Sequence, residues 1–167
     1  PISSIIEIRN NITIKFEHDQ GNWVPAPTKP EKMSFNQKKY EGKKIIFLIR
    51  DPRDVIVSSW YHLKFRESIY KKEIHEYIHD DLIGIKNIIA FYNLWLNKTF
   101  SSDHFLLLTY EDLHSDAYSQ MKKLISFLNI GKLNDNHLKE AIEYSRFNNM
   151  KKMEMSGNID EPWMKPG

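Results

Sequence analysis

The chain has 167 residues and a formal net charge of +2, with 41% hydrophobic and 28% charged residues. These proportions exclude a disordered or fibrous chain, and the small net charge argues against a general nucleic-acid coat. The absence of cysteine excludes disulfides, thiolate metal sites and a cysteine nucleophile. A chain of this length is expected to form a single domain over residues 1–167.

A secretory signal consists of a Lys- or Arg-containing segment, then an apolar segment, then small residues, and no part of the sequence has this order. The sequence also has no run of about 18 uncharged apolar residues, which a membrane-spanning helix requires. We therefore expect no membrane span and a cytoplasmic location.

The N-terminal third is predicted to contain strands and a long loop. Residues 5–16 are rich in Ile and partly alternate, which predicts two short strands or one bent strand. Residues 18–42 contain three prolines and two glycines, which predicts an extended loop. Residues 44–49 form a short apolar run that is typical of a strand buried on both faces of a parallel sheet.

The remaining chain is predicted to be mainly helical. Asp51 suits a helix cap and Pro52 the first helical turn, so a helix is expected from there to about residue 66. A second buried strand is predicted at residues 105–108, followed by a loop at 110–113. Strands joined by long helical connections indicate an α/β fold with a parallel sheet. Apolar residues at helical spacing predict a helix over residues 81–98. Further helices are predicted over residues 116–128 and 134–144, a short helix over 74–79 and a helical turn over 147–154.

Polar clusters follow both predicted buried strands, beginning at Arg50 and at Tyr110. Ligands of parallel sheets bind at the carboxyl ends of strands, so these clusters are the first candidates for a site. A guanidinium beside a helix N-terminus suits a phosphate, and Ser58 lies two turns into that helix. Alternatively, Arg50 pairs with Asp54 or Asp112 and the first cluster only caps a helix.

Residues 44–62 resemble the 3′-phosphate-binding segment of sulfotransferases that use 3′-phosphoadenosine 5′-phosphosulfate (PAPS). The family pattern is a strand, then Arg-(Asp/Asn)-Pro-(Arg/Lys)-Asp, then a small apolar stretch ending in Ser. Here it reads Lys-Ile-Ile-Phe-Leu-Ile-Arg-Asp-Pro-Arg-Asp-Val-Ile-Val-Ser-Ser-Trp-Tyr-His. The resemblance implies that Arg50 and Ser58 bind the 3′-phosphate of the cofactor.

Two further segments are similar to family motifs. Residues 110–113 match a Tyr-Glu-Asp-(Leu/Met) segment, which implies that Tyr110 lies near the adenine. Residues 144–150 resemble a (Thr/Ser)-x-Phe-x-x-Met stretch, which implies that Ser145 and Phe147 contact the adenine.

The resemblance also implies a fold and an activity. The fold would be P-loop-kinase-like, a three-layer sandwich with a central parallel sheet flanked by helices. The reaction would transfer a sulfuryl group from PAPS to an acceptor hydroxyl or amine and leave 3′-phosphoadenosine 5′-phosphate (PAP). Neither a metal nor a nucleic acid is expected to take part.

Residues 12–19 resemble the family strand that ends in a catalytic histidine, which makes His18 the candidate base. An imidazole with a pKa near neutral suits the deprotonation of an alcohol, and Glu17 or Asp19 would orient it. The alternative is an exposed loop histidine. His75 and His79 have the spacing of helical metal ligands but lack a third ligand at a diagnostic spacing, so a solvated helix face is favoured.

Two other functions remain open at this point. A nucleotide or nucleoside kinase of related fold would need a Gly-x-x-x-x-Gly-Lys-(Ser/Thr) loop, which the sequence does not contain. A non-catalytic nucleotide-binding domain needs no such loop.

The family's 5′-phosphosulfate loop, Pro-Lys-Ser-Gly-Thr-Thr-Trp, has no match here, and residues 165–167 resemble a later Arg-Lys-Gly segment only faintly. A transferring sulfuryl group needs a cradle of donors. We therefore expect the native gene to encode a strand, a loop with a lysine and a helix before Pro1. Sequencing of the coding region checks this, and a start codon directly before Pro1 would contradict it.

Overall fold

A computed structural model describes residues 5–8, 12–17, 28–98, 100–101, 103–131 and 133–155. The strands are β1 Ile5–Ile8, β2 Ile12–Lys15, β3 Ile45–Ile49 and β4 Phe105–Thr109. The helices are α1 Pro52–Tyr61, α2 Ile74–Ile78, α3 Ile85–Leu96, α4 Tyr110–Ser115, α5 Ala117–Leu128, α6 Asp135–Tyr144 and α7 Phe147–Met155. Shorter helical turns are Pro30–Lys32, Gln37–Tyr40 and His62–Arg66.

The four strands form two pairs. Strands β1 and β2 are antiparallel, with Ile8 opposite Ile12, which confirms the two short strands; residues 9–11 between them lie outside the described residues. Strands β3 and β4 are parallel, and Ile49 is opposite Thr109 at their carboxyl ends. This parallel pair and the helices between its strands confirm the α/β class.

The chain divides into two compact units. The first comprises Pro1–Lys39 and Pro52–Thr99, and the second comprises Tyr40–Asp51 and Phe100–Gly167. The single domain over residues 1–167 stays a prediction. Within the described ranges, no helix is both long and apolar enough to cross a membrane.

The core of the first unit surrounds Tyr77, which is fully buried in α2. Its hydroxyl lies 2.7 Å from the hydroxyl of Ser59 in α1, so the two groups share a hydrogen bond. The ring of Tyr70 meets the Tyr77 ring edge-on at 4.9 Å. Buried neighbours of Tyr77 come from α1, the turn after it, the turn before α3, and α3 itself: Ile56, Leu63, Ile83 and Ile88.

Helix α3 begins at Ile85, four residues later than the predicted residue 81. The reason is a turn in which the carboxylate of Asp80 accepts the backbone N–H groups of Leu82 and Ile83, at 2.9 and 3.2 Å. Gly84 then approaches this turn so closely that an added Cβ would lie 2.4 Å from the Asp80 carbonyl oxygen. A side chain at this position would therefore clash with backbone.

Several sequence predictions need correction. The predicted loop at 110–113 is helix α4, because the Thr109 hydroxyl accepts the N–H of Asp112 at 3.0 Å and caps a helix. The predicted α-helix to residue 66 changes to a π-helical turn after Tyr61. In the predicted loop at 18–42, the described residues form two 3₁₀ turns.

Strand β3 is less buried than its apolar run predicts. Phe47 and Leu48 point to opposite faces of the strand; Phe47 is 7% exposed and Leu48 is 55% exposed. The prediction that both faces of this strand are buried is therefore wrong for the described residues. In the same unit, the ring of Phe47 lies 6.1 Å from that of Phe105. The ammonium of Lys44 donates to the carbonyl of Phe127, where a cation is favourable at the C-terminal end of α5.

The buried hydroxyl of Tyr77 yields a stability prediction. Tyr77→Phe leaves the Ser59 hydroxyl without this partner, and we expect the free energy of unfolding to fall by about 1 kcal/mol at neutral pH. Chemical denaturation measures it. Tyr144→Phe, at a residue that is 65% exposed, is the control. Equal stability of Tyr77→Phe and the native chain would contradict the role of this hydrogen bond.

The same group predicts a pH dependence. Burial raises the pKa of Tyr77 above the ordinary tyrosine value of 10.0. Below that value both states keep the proton; above it the unfolded chain releases the proton first, so stability falls as pH rises. Tyr77→Phe removes this contribution and should lose less stability between about pH 9 and 11 than the native chain does. Denaturation curves across that range measure the difference.

Candidate functional site

The carboxyl ends of β3 and β4 place two polar clusters side by side. Because Ile49 is opposite Thr109, the residues that follow them, Arg50 and Tyr110, leave the sheet at the same edge. The guanidinium carbon of Arg50 lies 4.3 Å from the centroid of the Tyr110 ring. The structure therefore brings together two residues that the sequence predicts for one site.

A second contact joins the same two segments. The backbone N–H of Asp51 donates to a carboxylate oxygen of Glu111 at 2.8 Å. The residue after Arg50 is thus bound to the residue after Tyr110. Glu111 lies within the Tyr-Glu-Asp-(Leu/Met) match, but that match predicts no role for it. Its partner could not be read from the sequence, because it is a backbone group 60 positions away.

The first turn of α4 supports this arrangement. Thr109 caps the helix, and Glu111 and Asp112 are acidic residues in its first turn, where negative charge is favourable. Tyr110 is the first helical residue and is 42% exposed. The N–H donors of a guanidinium lie in its plane, so contact with the face of an aromatic ring orients these donors without using them.

The junction of α6 and α7 holds the other predicted nucleotide contacts. Ser145 directly follows α6 as its C-terminal cap, and its hydroxyl donates to the carbonyl of Ile142 at 3.0 Å, so the hydroxyl oxygen can still accept a hydrogen bond. Phe147 begins α7 and is 78% exposed. The amide of Asn149 donates to the Glu143 carbonyl at 2.6 Å and fastens the junction. A flat aromatic ring and a hydroxyl acceptor are therefore presented to solvent two residues apart.

Ser58 and His18 are placed differently. Ser58 lies in α1 of the first unit, and its side chain is exposed. His18 lies outside the described residues. Glu17, one of the two acids expected to orient His18, forms ion pairs with Lys15 and Lys39. Hydrogen bonds from Lys15 and then Lys39 lower the pKa of Glu17 and keep the carboxylate ionised.

Two further features lie apart from the predicted residues. In the part of the chain that the structure describes, no three His, Asp or Glu side chains form a group that suits a metal ion. An open groove of about 880 Å³ runs between α5 and α6. The described residues that line this groove include Lys122, Ile125 and Leu138, but none of the predicted site residues.

Comparison with known proteins identifies relatives over most of the chain. The profile of the Sulfotransferase domain family matches residues 28–164. Sulfotransferase 2A6 of Rattus norvegicus is 34% identical over 128 residues, which cover 73% of this chain and 44% of that protein. The 3-beta-hydroxysteroid sulfotransferase of Cavia porcellus is 33% identical over 120 residues, or 68% of this chain and 40% of that protein. The chain thus spans less than half the length of these relatives.

Solved structures agree with the family match. Retinol dehydratase in complex with androsterone and inactive cofactor PAP has a TM-score of 0.53 and 26% identity, covering 65% of this chain and 32% of that one. A mouse sulfotransferase complexed with PAP also has a TM-score of 0.53, with 23% identity, covering 65% of this chain and 40% of that one. The match favours this family over a kinase of related fold. The chain belongs to the sulfotransferase family and has its P-loop-kinase-like α/β fold.

Proposed function

We propose that the native protein is a PAPS-dependent sulfotransferase, which moves a sulfuryl group to an acceptor hydroxyl or amine. The observation that carries this proposal is the contact of Arg50 with Tyr110 at the ends of two parallel strands. Both residues belong to segments that resemble the family's cofactor motifs. The family match over residues 28–164 supports the proposal further.

The described residues suit a nucleotide with a 3′-phosphate. The guanidinium of Arg50 offers a planar pair of donors, which matches the geometry of phosphate oxygens. Phe147 offers an exposed ring for an adenine face, and the hydroxyl oxygen of Ser145 can accept from an amino group. We assign Ser58 to the 3′-phosphate as well, and this assignment rests on the sequence motif alone.

The proposed chemistry needs one proton acceptor on the protein. PAPS would supply a sulfuryl group bound through an anhydride to its 5′-phosphate. The acceptor oxygen or nitrogen would form the new bond to sulfur while the bond between sulfur and the bridging oxygen breaks, and PAP would leave with that oxygen on its 5′-phosphate. We assign His18 as the base that takes the proton from the acceptor, because residues 12–19 resemble the family strand that ends in a catalytic histidine. The charge of the reaction is handled by protein donors without a metal.

The names of the relatives suggest the first acceptors to test. Two sulfotransferases of Cavia porcellus that resemble this chain are named for 3-beta- and 3-alpha-hydroxysteroids, and one of Photinus pyralis is named for luciferin. We therefore propose an acceptor with a hydroxyl group, with a hydroxysteroid first in the panel and an amine as comparison. A cytoplasmic location remains a prediction from the sequence.

Ligand discrimination tests the cofactor site. PAP and 5′-AMP differ only by the 3′-phosphate, so Arg50→Ala should weaken PAP binding by about 10- to 150-fold and change 5′-AMP binding much less. Ser58→Ala should show the same selectivity with a smaller loss, because a neutral hydroxyl is the weaker donor. Calorimetry with the native full-length chain measures both ligands.

Arg66→Ala removes the same charge from an exposed position and is the matched control. Equal losses for PAP and 5′-AMP would assign Arg50 to folding or to the 5′ end of the ligand. A native chain that binds both ligands equally would overturn the proposed function.

The proposed base has its own test. His18→Ala should lower kcat by about 10²–10⁴-fold, because the acceptor keeps its proton, while PAP affinity stays near the native value. Steady-state sulfation and calorimetry together measure this separation. His75→Ala, at an exposed histidine of α2, is the control. Native kcat in His18→Ala would remove this residue from the mechanism, and PAP binding without transfer in the native protein would indicate a non-catalytic binding domain.

A further inference from the structure

The ends of β3 and β4 are joined by two adjacent contacts of different kinds. Arg50 lies against the Tyr110 ring at 4.3 Å, and the Asp51 N–H donates to the Glu111 carboxylate at 2.8 Å. The contacts use consecutive residues on both segments. Together they fix the backbone after β3 relative to the first turn of α4.

The second contact determines where the first can form. A cation above a ring is attracted without a strict angular requirement, so the Tyr110 ring alone does not fix the guanidinium. A hydrogen bond to the next backbone N–H does fix the peptide from which the Arg50 side chain leaves. A hydrogen bond to a charged carboxylate is stronger than a hydrogen bond between two neutral groups.

The charge of Glu111 makes its position informative. Glu111 directly follows Tyr110, the aromatic partner of Arg50. Its negative charge repels an anionic ligand such as a phosphate at Arg50. A glutamate here is thus unfavourable for anion binding unless it contributes something else. The contribution visible in the structure is the acceptor oxygen that holds Asp51.

We infer that Glu111 is a positioning residue for the 3′-phosphate site: its carboxylate oxygen holds the Asp51 N–H and thereby sets the Arg50 guanidinium over Tyr110. This inference rests on the proposed function. The role assigned to Glu111 acts through the backbone of the Arg50–Asp51 segment and needs no contact with the nucleotide.

The cap of helix α4 does not involve this carboxylate, and Asp112 keeps a negative charge in the first turn when Glu111 is replaced. Thr109 caps the first turn by accepting the N–H of Asp112 at 3.0 Å, and the Glu111 side chain takes no part in this bond. The side chain of Glu111 is exposed, so its truncation opens no cavity. Substitution at this position therefore separates positioning from folding.

Two variants of Glu111 distinguish the acceptor from the charge. Glu111→Ala removes the acceptor, whereas Glu111→Gln keeps an oxygen at the same place and removes only the charge. In the native full-length chain we expect Glu111→Ala to weaken PAP binding by about 5- to 30-fold and 5′-AMP binding by less than about twofold. Glu111→Gln should bind PAP within about threefold of the native chain, because the backbone bond survives. Calorimetry gives the dissociation constants, and thermal unfolding reports folding.

Glu140→Ala, which removes an exposed carboxylate from α6, is the matched control and should leave both affinities unchanged. Native PAP affinity in Glu111→Ala would overturn the inference, and so would equal losses in the Ala and Gln variants, which would make the charge decisive. Parallel losses of PAP and 5′-AMP affinity in Glu111→Ala would reduce Glu111 to a structural role. If the native chain itself shows no preference for PAP, the proposed function fails; if it shows the preference and Glu111→Ala keeps it, only the inference fails.

Discussion

The parallel pairing of β3 with β4 is the constraint on which the candidate site depends. Its register places Ile49 opposite Thr109, so the chain leaves both strands at one level. Arg50 and Tyr110 are 60 positions apart in the sequence, and the pairing converts that separation into a contact of 4.3 Å. A shift in register would separate the guanidinium from the ring. The sheet therefore acts here as the support for the candidate site.

Helix α4 shows how a small local signal contributes to this site. The Thr109 hydroxyl starts the helix immediately after β4, so Tyr110 is held in a first helical turn. In a flexible loop the ring would lose conformational freedom on contact with Arg50, at a cost in entropy. Because the helix begins at Tyr110, the backbone of this residue is already ordered, and the entropy cost of the contact is smaller. The same turn presents Glu111 to the Asp51 N–H.

The first unit depends on a different interaction. A fully buried tyrosine is tolerated because its hydroxyl has a partner, and Ser59 of α1 provides that partner for Tyr77 at 2.7 Å. The hydrogen bond gives the packing of α1 against α2 a fixed register. Ser59 follows Ser58 directly, so this packing also fixes the helical position of a predicted phosphate ligand. Ser59 thus packs the helix, while the role predicted for Ser58 in the next position is to bind a phosphate.

Periodicity and turn residues in the sequence by themselves determined the strands, most helices and the α/β class, because these features depend on neighbours along the chain. The motif at residues 44–62 also determined the family, since it occupies one continuous segment. The tertiary structure alone decided that Asp51 binds Glu111, that Leu48 is exposed and that Ser59 meets Tyr77. These depend on residues distant in sequence, whose meeting is set by strand register and helix packing. The start of α4 lies between the two cases: its cap is local, but the side chains it aligns have a use only beside β3.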